Sequence, residues 1–464
     1  MTEEIIQHAA VVPQEDAQEK SIKWSWHHLL TGAAIAIYLF TPIVIWQLGL
    51  PAAIKDSADL LVLAMLALSL AHMITTDHFP GYFLVILALT ITGTIVATFE
   101  GQALLVTLWG WWMMFRFPMV GLFGYLLPFW SRQLAVKIPN WLLYIMALLV
   151  AVQILLYLSG VRDFDNLAGT FGRKGVGAYI LFIVIVLAIA LGRWLVKGEW
   201  KMLAVTLTLS AFASALGEMK FFIIAAPMLA GITLAVHLLR GGQIRRLIVY
   251  IIFFLIASAA FAYGYDRFIV QNLGRPPLEE FLNEDRRERY LENVRGEGDI
   301  YRLGRNTEAE YGWQLIQRDT ATLLFGYGLG TRQNSPQLGI VGVGLEDSIY
   351  GDLVGRTLLV MMYEMGLTGL LALLVFVVFS AAILYRAAAR DPDDDLNIIR
   401  YGVMIFTLIW PFLVWYKSVW LRVEPMLIYW LLWGYIMHFS IGPYFVESKK
   451  GSAQKSAVQI APRA

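Results

Sequence analysis

Glu346 and Asp347 stand side by side, Asp352 follows shortly after, and Arg332 and Arg356 flank them in the same polar stretch. A carboxylate near cations is suited to taking a proton from a hydroxyl while neighbouring positive charge stabilises an anionic leaving group. Further cations fall at Arg173, Lys174, Lys220, Arg302 and Arg305. Arginine holds phosphate bidentately and lysine as a point charge, so the set suits a phosphate-bearing substrate. The plainer alternative is that these cations meet anionic lipid head groups or pair with nearby acids. The chain has no cysteine, which excludes disulfides, a thiol nucleophile and thiolate metal sites.

The elements that must position these residues are membrane helices. Of 464 residues, 58% are hydrophobic and 15% charged, with a mean hydropathy of +0.62; a soluble domain carries about 25% charge. Apolar runs near 29–49, 59–74, 82–99, 103–127, 141–159, 176–196, 200–216, 221–239, 246–266, 357–385, 398–416 and 422–440 predict an all-α polytopic membrane protein with about 12 transmembrane helices. The organisation expected is an N-terminal tail at 1–28, helices one to nine within 29–266, a long polar segment at 267–356, helices ten to twelve within 357–440, and a C-terminal tail at 441–464. No room is left for a separate soluble enzyme domain. A net charge of +1 gives no general attraction to nucleic acid.

Orientation follows from lysine and arginine, which cytoplasmic loops retain. With an even number of spans both tails share a side, and that side holds 17 basic residues against seven in the short loops opposite. Both termini are therefore expected in the cytoplasm and the segment 267–356 outside. The seven histidines, His8, His27, His28, His72, His78, His237 and His438, all fall at or near the cytoplasmic side. An outward-facing site would then have no histidine base and no histidine-bound zinc, so a carboxylate must act as base and no metal or other cofactor is expected.

Within the long segment, Thr307 and Glu310 have the spacing of a capping box, and Trp313, Ile316, Thr320 and Leu323 or Leu324 repeat at helical spacing. Pro277–Val294 reads as a second, highly charged helix. The amphipathic helix runs into Phe325-Gly326-Tyr327-Gly328-Leu329-Gly330, where glycines permit positive φ and close backbone approach. Two charges fall inside predicted spans, Arg116 and Glu364. Each costs at least ~2.5 kcal/mol in the hydrocarbon unless paired or hydrated, so both are expected to face the bundle interior.

Several segments resemble the O-antigen ligase and polymerase superfamily, membrane glycosyltransferases that act on polyprenyl-diphosphate-linked sugars. The likeness lies in the twelve-span layout with one long loop between the ninth and tenth spans, in Gly169–Ala178 (GTFGRKGVGA), in Leu323–Gly330 (LLFGYGLG) and in Tyr363–Leu371 (YEMGLTGLL). The fold it implies is helical and GT-C-like, with the site facing the periplasm or cell exterior of a bacterial cytoplasmic membrane. The ligases carry a Ser-Arg pair where this chain has Met219-Lys220, and their loop arginine maps to Arg302 or Arg305. Their histidine near the end of the loop has no counterpart. Its position falls near Glu346 or Asp347 counting forward from Gly330, and near Gly355 or Arg356 counting back from Gly366. The missing histidine moves the expectation from a lipopolysaccharide ligase towards a polysaccharide repeat-unit polymerase.

The resemblance implies a metal-independent transfer in which Asp347 first, with Glu346 or Asp352 next, assists deprotonation of an acceptor hydroxyl that attacks the anomeric carbon. Lys220, Arg173 and the loop arginines would stabilise the departing diphosphate. Implied partners are the lipid-linked oligosaccharide, membrane lipid, a flippase and a chain-length regulator. A ligase, a lipid or polysaccharide transporter, and a non-catalytic subunit of an envelope assembly complex remain the alternatives.

Overall fold

Apolar runs of about 20 residues become helices in a membrane because the helix satisfies every backbone polar group internally. The structure, a computed structural model, describes residues 25–51, 53–126, 131–173, 175–217, 221–241, 305–335, 339–342, 357–416 and 424–441, with shorter stretches at 265–271, 295–297 and 300–302 and isolated positions at 248–263. Eight helices come first: α1 (Trp26–Leu48), α2 (Ala53–Thr76), α3 (Gly81–Phe99), α4 (Leu104–Leu126), α5 (Leu134–Leu158), α6 (Val176–Lys197), α7 (Trp200–Leu216) and α8 (Phe221–Leu239). Two short helices follow in the polar segment, α9 (Arg305–Ile316) and α10 (Thr320–Phe325), and then α11 (Thr357–Arg390), α12 (Asp394–Leu408), α13 (Trp410–Tyr416) and α14 (Pro425–Ile441).

Among the described residues, seven helices (α1, α2, α3, α5, α6, α8 and α11) are long and apolar enough to cross a membrane, and α12 with α13 makes an eighth if the bent pair is one span. The chain is thus a multi-pass membrane protein. Helices α7 and α14 also lie at expected spans but are shorter, and α4, at another expected span, carries Arg116 and Pro118 within it. The run expected at 246–266 lies largely outside the described residues. The only strands described form two small antiparallel ladders, β1 (Arg295–Glu297) with β2 (Ile300–Arg302) and β3 (Asn334–Ser335) with β4 (Ile340–Val341).

Two expected spans are broken. The run expected over 398–416 bends by 45° between α12 and α13, because Pro411 has no N–H to offer the Thr407 carbonyl. The helix restarts with Phe412 and Leu413 both donating to the Ile409 carbonyl. In α11 the break is at Gly366, whose φ of 58° and ψ of −148° are not helical.

Helix α6 is buried all round and packs along α12. A Cβ on Gly402 would lie 2.8 Å from the Ile189 Cα, so the two backbones touch, as small residues allow where helices associate in lipid. Helices α4 and α14 make the same kind of contact, with a Cβ on Gly434 falling 2.9 Å from the Gly124 Cα. At this end of the bundle Arg400, fully buried in α12, donates to Asp391 at 2.9 Å, Asn397 at 2.9 Å, the Phe439 carbonyl at 3.1 Å and Ser440 at 3.2 Å. Arg400 is thus a buried ion-paired residue that ties α12 to α14 and to the turn after α11. Lys197 of α6 adds an ion pair to Asp395 at 2.7 Å.

Candidate functional site at the glycine loop

The site begins with a helix that stops early. Helix α9 starts at Arg305, which puts Thr307 inside its first turn and not at the N-cap expected from the spacing. The expected single amphipathic helix is two. The second, α10, is capped by Asp319, whose carboxylate accepts from the Thr322 N–H and the Thr322 hydroxyl, both at 2.8 Å. Those bonds, the backbone one foremost, hold the Asp319 carboxyl below the usual carboxylate range.

Helix α10 ends at Gly326, and the chain then runs into the membrane bundle. Tyr327 N–H donates to the Tyr363 carbonyl at 2.7 Å, Gly328 N–H to the Glu364 carbonyl at 3.1 Å, and Leu329 N–H to the Gly93 carbonyl of α3 at 3.1 Å. The first two acceptors lie within one turn of the Gly366 break, where carbonyls lack their onward helical partners. A broken span thus offers hydrogen-bond acceptors and the glycine loop supplies the donors. Contact is backbone to backbone: a Cβ on Gly328 would lie 2.7 Å from the Ala97 Cβ, one on Gly330 2.8 Å from the Val106 carbonyl carbon, and one on Gly366 2.6 Å from the Gly326 nitrogen. Gly328, Gly330 and Gly366 all have positive φ, at 91°, 87° and 58°, so side chains there would be both strained and obstructed.

Beyond the loop come Arg332 and Gln333, each 1% exposed. The Arg332 N–H donates to Glu364 Oε1 at 3.1 Å, and its guanidinium carbon lies 4.8 Å from the centre of the Tyr363 ring. Tyr363 in turn stacks on Tyr327 with ring centres 4.4 Å apart, and the Tyr327 hydroxyl donates to the Leu315 carbonyl of α9 at 3.1 Å. Glu364 is fully buried. The Gly330 N–H and the Gln333 amide face the same carboxylate, the amide without a fully formed hydrogen bond. Among the described residues neither Glu364 Oε2, the Gln333 amide atoms nor the Thr357 hydroxyl has a hydrogen-bond partner. A cation, a carboxylate and an amide are thereby gathered where α3, α4 and α11 meet the polar segment. Gly342 packs against Gly330 and Thr331.

Of the residues singled out by sequence, Arg332 and Glu364 are brought together. Arg332, which the sequence offers as one of a set of cations suited to phosphate, is buried, its backbone held by Glu364 and its guanidinium over Tyr363. Arg173 is exposed in the turn before α6, after Gly172, whose φ of 70° lets it pack on Pro42. Arg302 ends β2 and Arg305 opens α9. Glu346, Asp347, Asp352, Lys174, Lys220 and Arg356 lie outside the described residues.

Arg116 faces inward and pairs with Asp59 of α2, its Nη1 lying 3.2 Å from both carboxylate oxygens. The Tyr38 hydroxyl of α1 donates to the same carboxylate. Asp59 and Tyr38 were missed by sequence reasoning, as was Gln333. The one available signal was Arg116 itself, which required an inward partner. No group of three or more metal-ligating side chains occurs among the described residues. Neither a family model nor a curated protein matches the chain.

Proposed function

We propose that the chain is a membrane glycosyltransferase that joins polyprenyl-diphosphate-linked glycans at the outer face of the bacterial cytoplasmic membrane, as a polysaccharide repeat-unit polymerase. The observation that carries this reading is the docked glycine loop, which holds the buried Arg332 beside Glu364, in the polar segment whose sequence also bears Glu346, Asp347 and Asp352. The acceptor hydroxyl attacks the anomeric carbon, the bond from that carbon to the diphosphate breaks, and a carboxylate, Asp347 first, takes the hydroxyl proton. The departing diphosphate is met by Lys220, Arg173 and the loop arginines, whose charge counts for more in a water-poor site. No metal or cofactor enters this scheme. Twelve spans, cytoplasmic termini and a GT-C-like layout belong to the same proposal.

A transporter is the competing reading. What favours it is a broken helix at Gly366 together with the Arg116–Asp59 pair within the spans, features that transporters use near the midplane. The two are separated by reconstituting the protein in vesicles with a polyprenyl-diphosphate-linked repeat unit. A polymerase yields longer glycans and free polyprenyl diphosphate; unchanged lipid-linked material appearing on the opposite face would establish transport and overturn the reading.

A further inference from the structure

We infer that the cleft between α3, α4, α11 and α14 is the binding site for the distal part of a polyprenyl tail. This rests on the lipid-linked donor proposed above. The cleft encloses about 590 Å³. At one end it is lined by Leu89, Phe115 and Ala372, and at the other by His78, Tyr125 and Ile441. The first of these ends adjoins the glycine-loop dock on the same three helices. Leu89 is one turn from Gly93, Phe115 follows Gly110 by little more than a turn, and Ala372 follows Gly366 by less than two. The dock and the cleft are therefore separated by only about 6–9 Å along the helix axes.

The polar groups that line the cleft are mostly consumed within the protein. The Tyr82 hydroxyl donates to the Pro118 carbonyl at 3.0 Å and the Trp433 indole to the Ser380 hydroxyl at 3.1 Å. Tyr82, Phe376, Trp430 and Trp433 pack as one tilted aromatic wall, with ring centres 4.7–6.1 Å apart. Such a surface accepts hydrocarbon and leaves few hydrogen-bond partners for the hydroxyls of a sugar. Depth selects which hydrocarbon. Ala372 to Ile383 lie about 12–28 Å beyond Glu364 along α11 at ~1.5 Å per residue. An acyl chain from the leaflet at the loop end stops after about half the ~30 Å hydrocarbon core. A head group held at the loop therefore reaches most of this cleft only through a tail longer than an ordinary acyl chain, which a polyprenyl chain provides.

The test uses the full-length protein in phosphatidylglycerol vesicles with a polyprenyl phosphate carrying a photoactivatable diazirine in its distal units. Adducts are expected on Tyr82–Leu89 and Ala372–Ile383 and should be chased by unlabelled long-chain polyprenyl phosphate. Adducts equally reduced by extra phospholipid, or scattered over all helices, would overturn the site. Ala372→Trp and, on the facing wall, Val85→Trp fill the cleft; one variant guards against misfolding of the other, monitored by gel filtration. Each should weaken capture of the long-chain probe about tenfold, the loss expected from displacing two buried methylenes, and leave glycan joining from a short-tail donor unchanged. Joining that is indifferent to tail length in wild type and both variants would remove the cleft and keep the transferase. Distal-tail adducts in the cleft without glycan joining from any donor would do the reverse.

Discussion

The carboxylate of Glu364 accepts the backbone N–H of Arg332 at 3.1 Å, so a residue inside a broken membrane helix holds the chain by its main chain two residues after the last glycine of the loop. The Arg332 side chain is left to stack on Tyr363, next to Glu364 in sequence. One short segment of α11 thus fixes both the path of the loop and the place of its cation.

Removing that acceptor should loosen the loop before it unfolds the bundle. Glu364→Ala leaves a buried N–H unsatisfied, at a cost of about 1–3 kcal/mol. The expected result is faster proteolysis near Arg318, with helical content retained. An unchanged digestion pattern would show that the loop is held by its other hydrogen bonds alone.

Gly366→Ala should be more damaging. The substitution puts a side chain on a residue whose φ of 58° and ψ of −148° are close to a region kept almost wholly for glycine, at about 1–3 kcal/mol, and drives a Cβ towards the Gly326 nitrogen at 2.6 Å. Gly231→Ala in α8 is the control, because a Cβ there meets nothing within 4 Å and alanine favours helix. Thermal unfolding in detergent should show a clear loss for Gly366→Ala and none for Gly231→Ala.

Asp319 gives a pH dependence. Its carboxyl is held below the usual range by the Thr322 N–H and hydroxyl, so its capping contribution is present above the ordinary carboxylate pKa and is lost as pH falls through the depressed folded value. Exchange protection of α10 amides should therefore differ between wild type and Asp319→Ala at neutral pH and converge under strongly acidic conditions. A difference that grows with acidity would contradict the sign.

The proposed chemistry predicts separate effects on binding and turnover. Asp347→Asn keeps the shape and removes the base, so glycan joining should stop while the lipid-linked donor still binds. Lys220→Ala should slow joining about a hundredfold, the ~3 kcal/mol typical of one lost charge-stabilising contact. Near-normal product length from both variants would remove these residues from the mechanism. Activity in the corresponding Glu346 and Asp352 variants as well would end carboxylate catalysis in this segment.

Topology is testable in a chain without cysteine. Cysteines at Ser335 and Ser452 should respond oppositely to a membrane-impermeant thiol reagent in intact cells whose outer membrane, if present, is permeabilised. Labelling is expected at 335 and not at 452.

Much of the helical architecture could be read from the sequence, since length and apolarity decide whether a helix spans a membrane. Breaks were harder. Pro411 was the visible cause of the bend after α12, yet the apolar run continues through it, so hydropathy alone reads one span. The glycine run after Phe325 was legible as a place of close approach. Its neighbours Gly93, Ala97 and Val106 were not, because each is an ordinary residue of another span until the fold brings it there. Arg116 announced a missing partner, but Asp59 stands first in the run at 59–74 and reads as its polar boundary and not as an inward-facing group. The charge of Arg332 gives no sign of burial, which only the geometry around Glu364 explains.

The break at Gly366 gives α11 four helix ends in place of two. The second half begins beside Leu367 with a fresh amino terminus inside the bundle, and such a terminus carries the equivalent of roughly half a positive charge. Glu364 lies within one turn of it. A buried carboxylate, otherwise a heavy burden for a membrane span, is also met by peptide dipoles of the docked loop, the N–H groups of Arg332 and Gly330. Dipoles fixed in this way need no reorganisation when a charge forms nearby, and excluding water strengthens their hold.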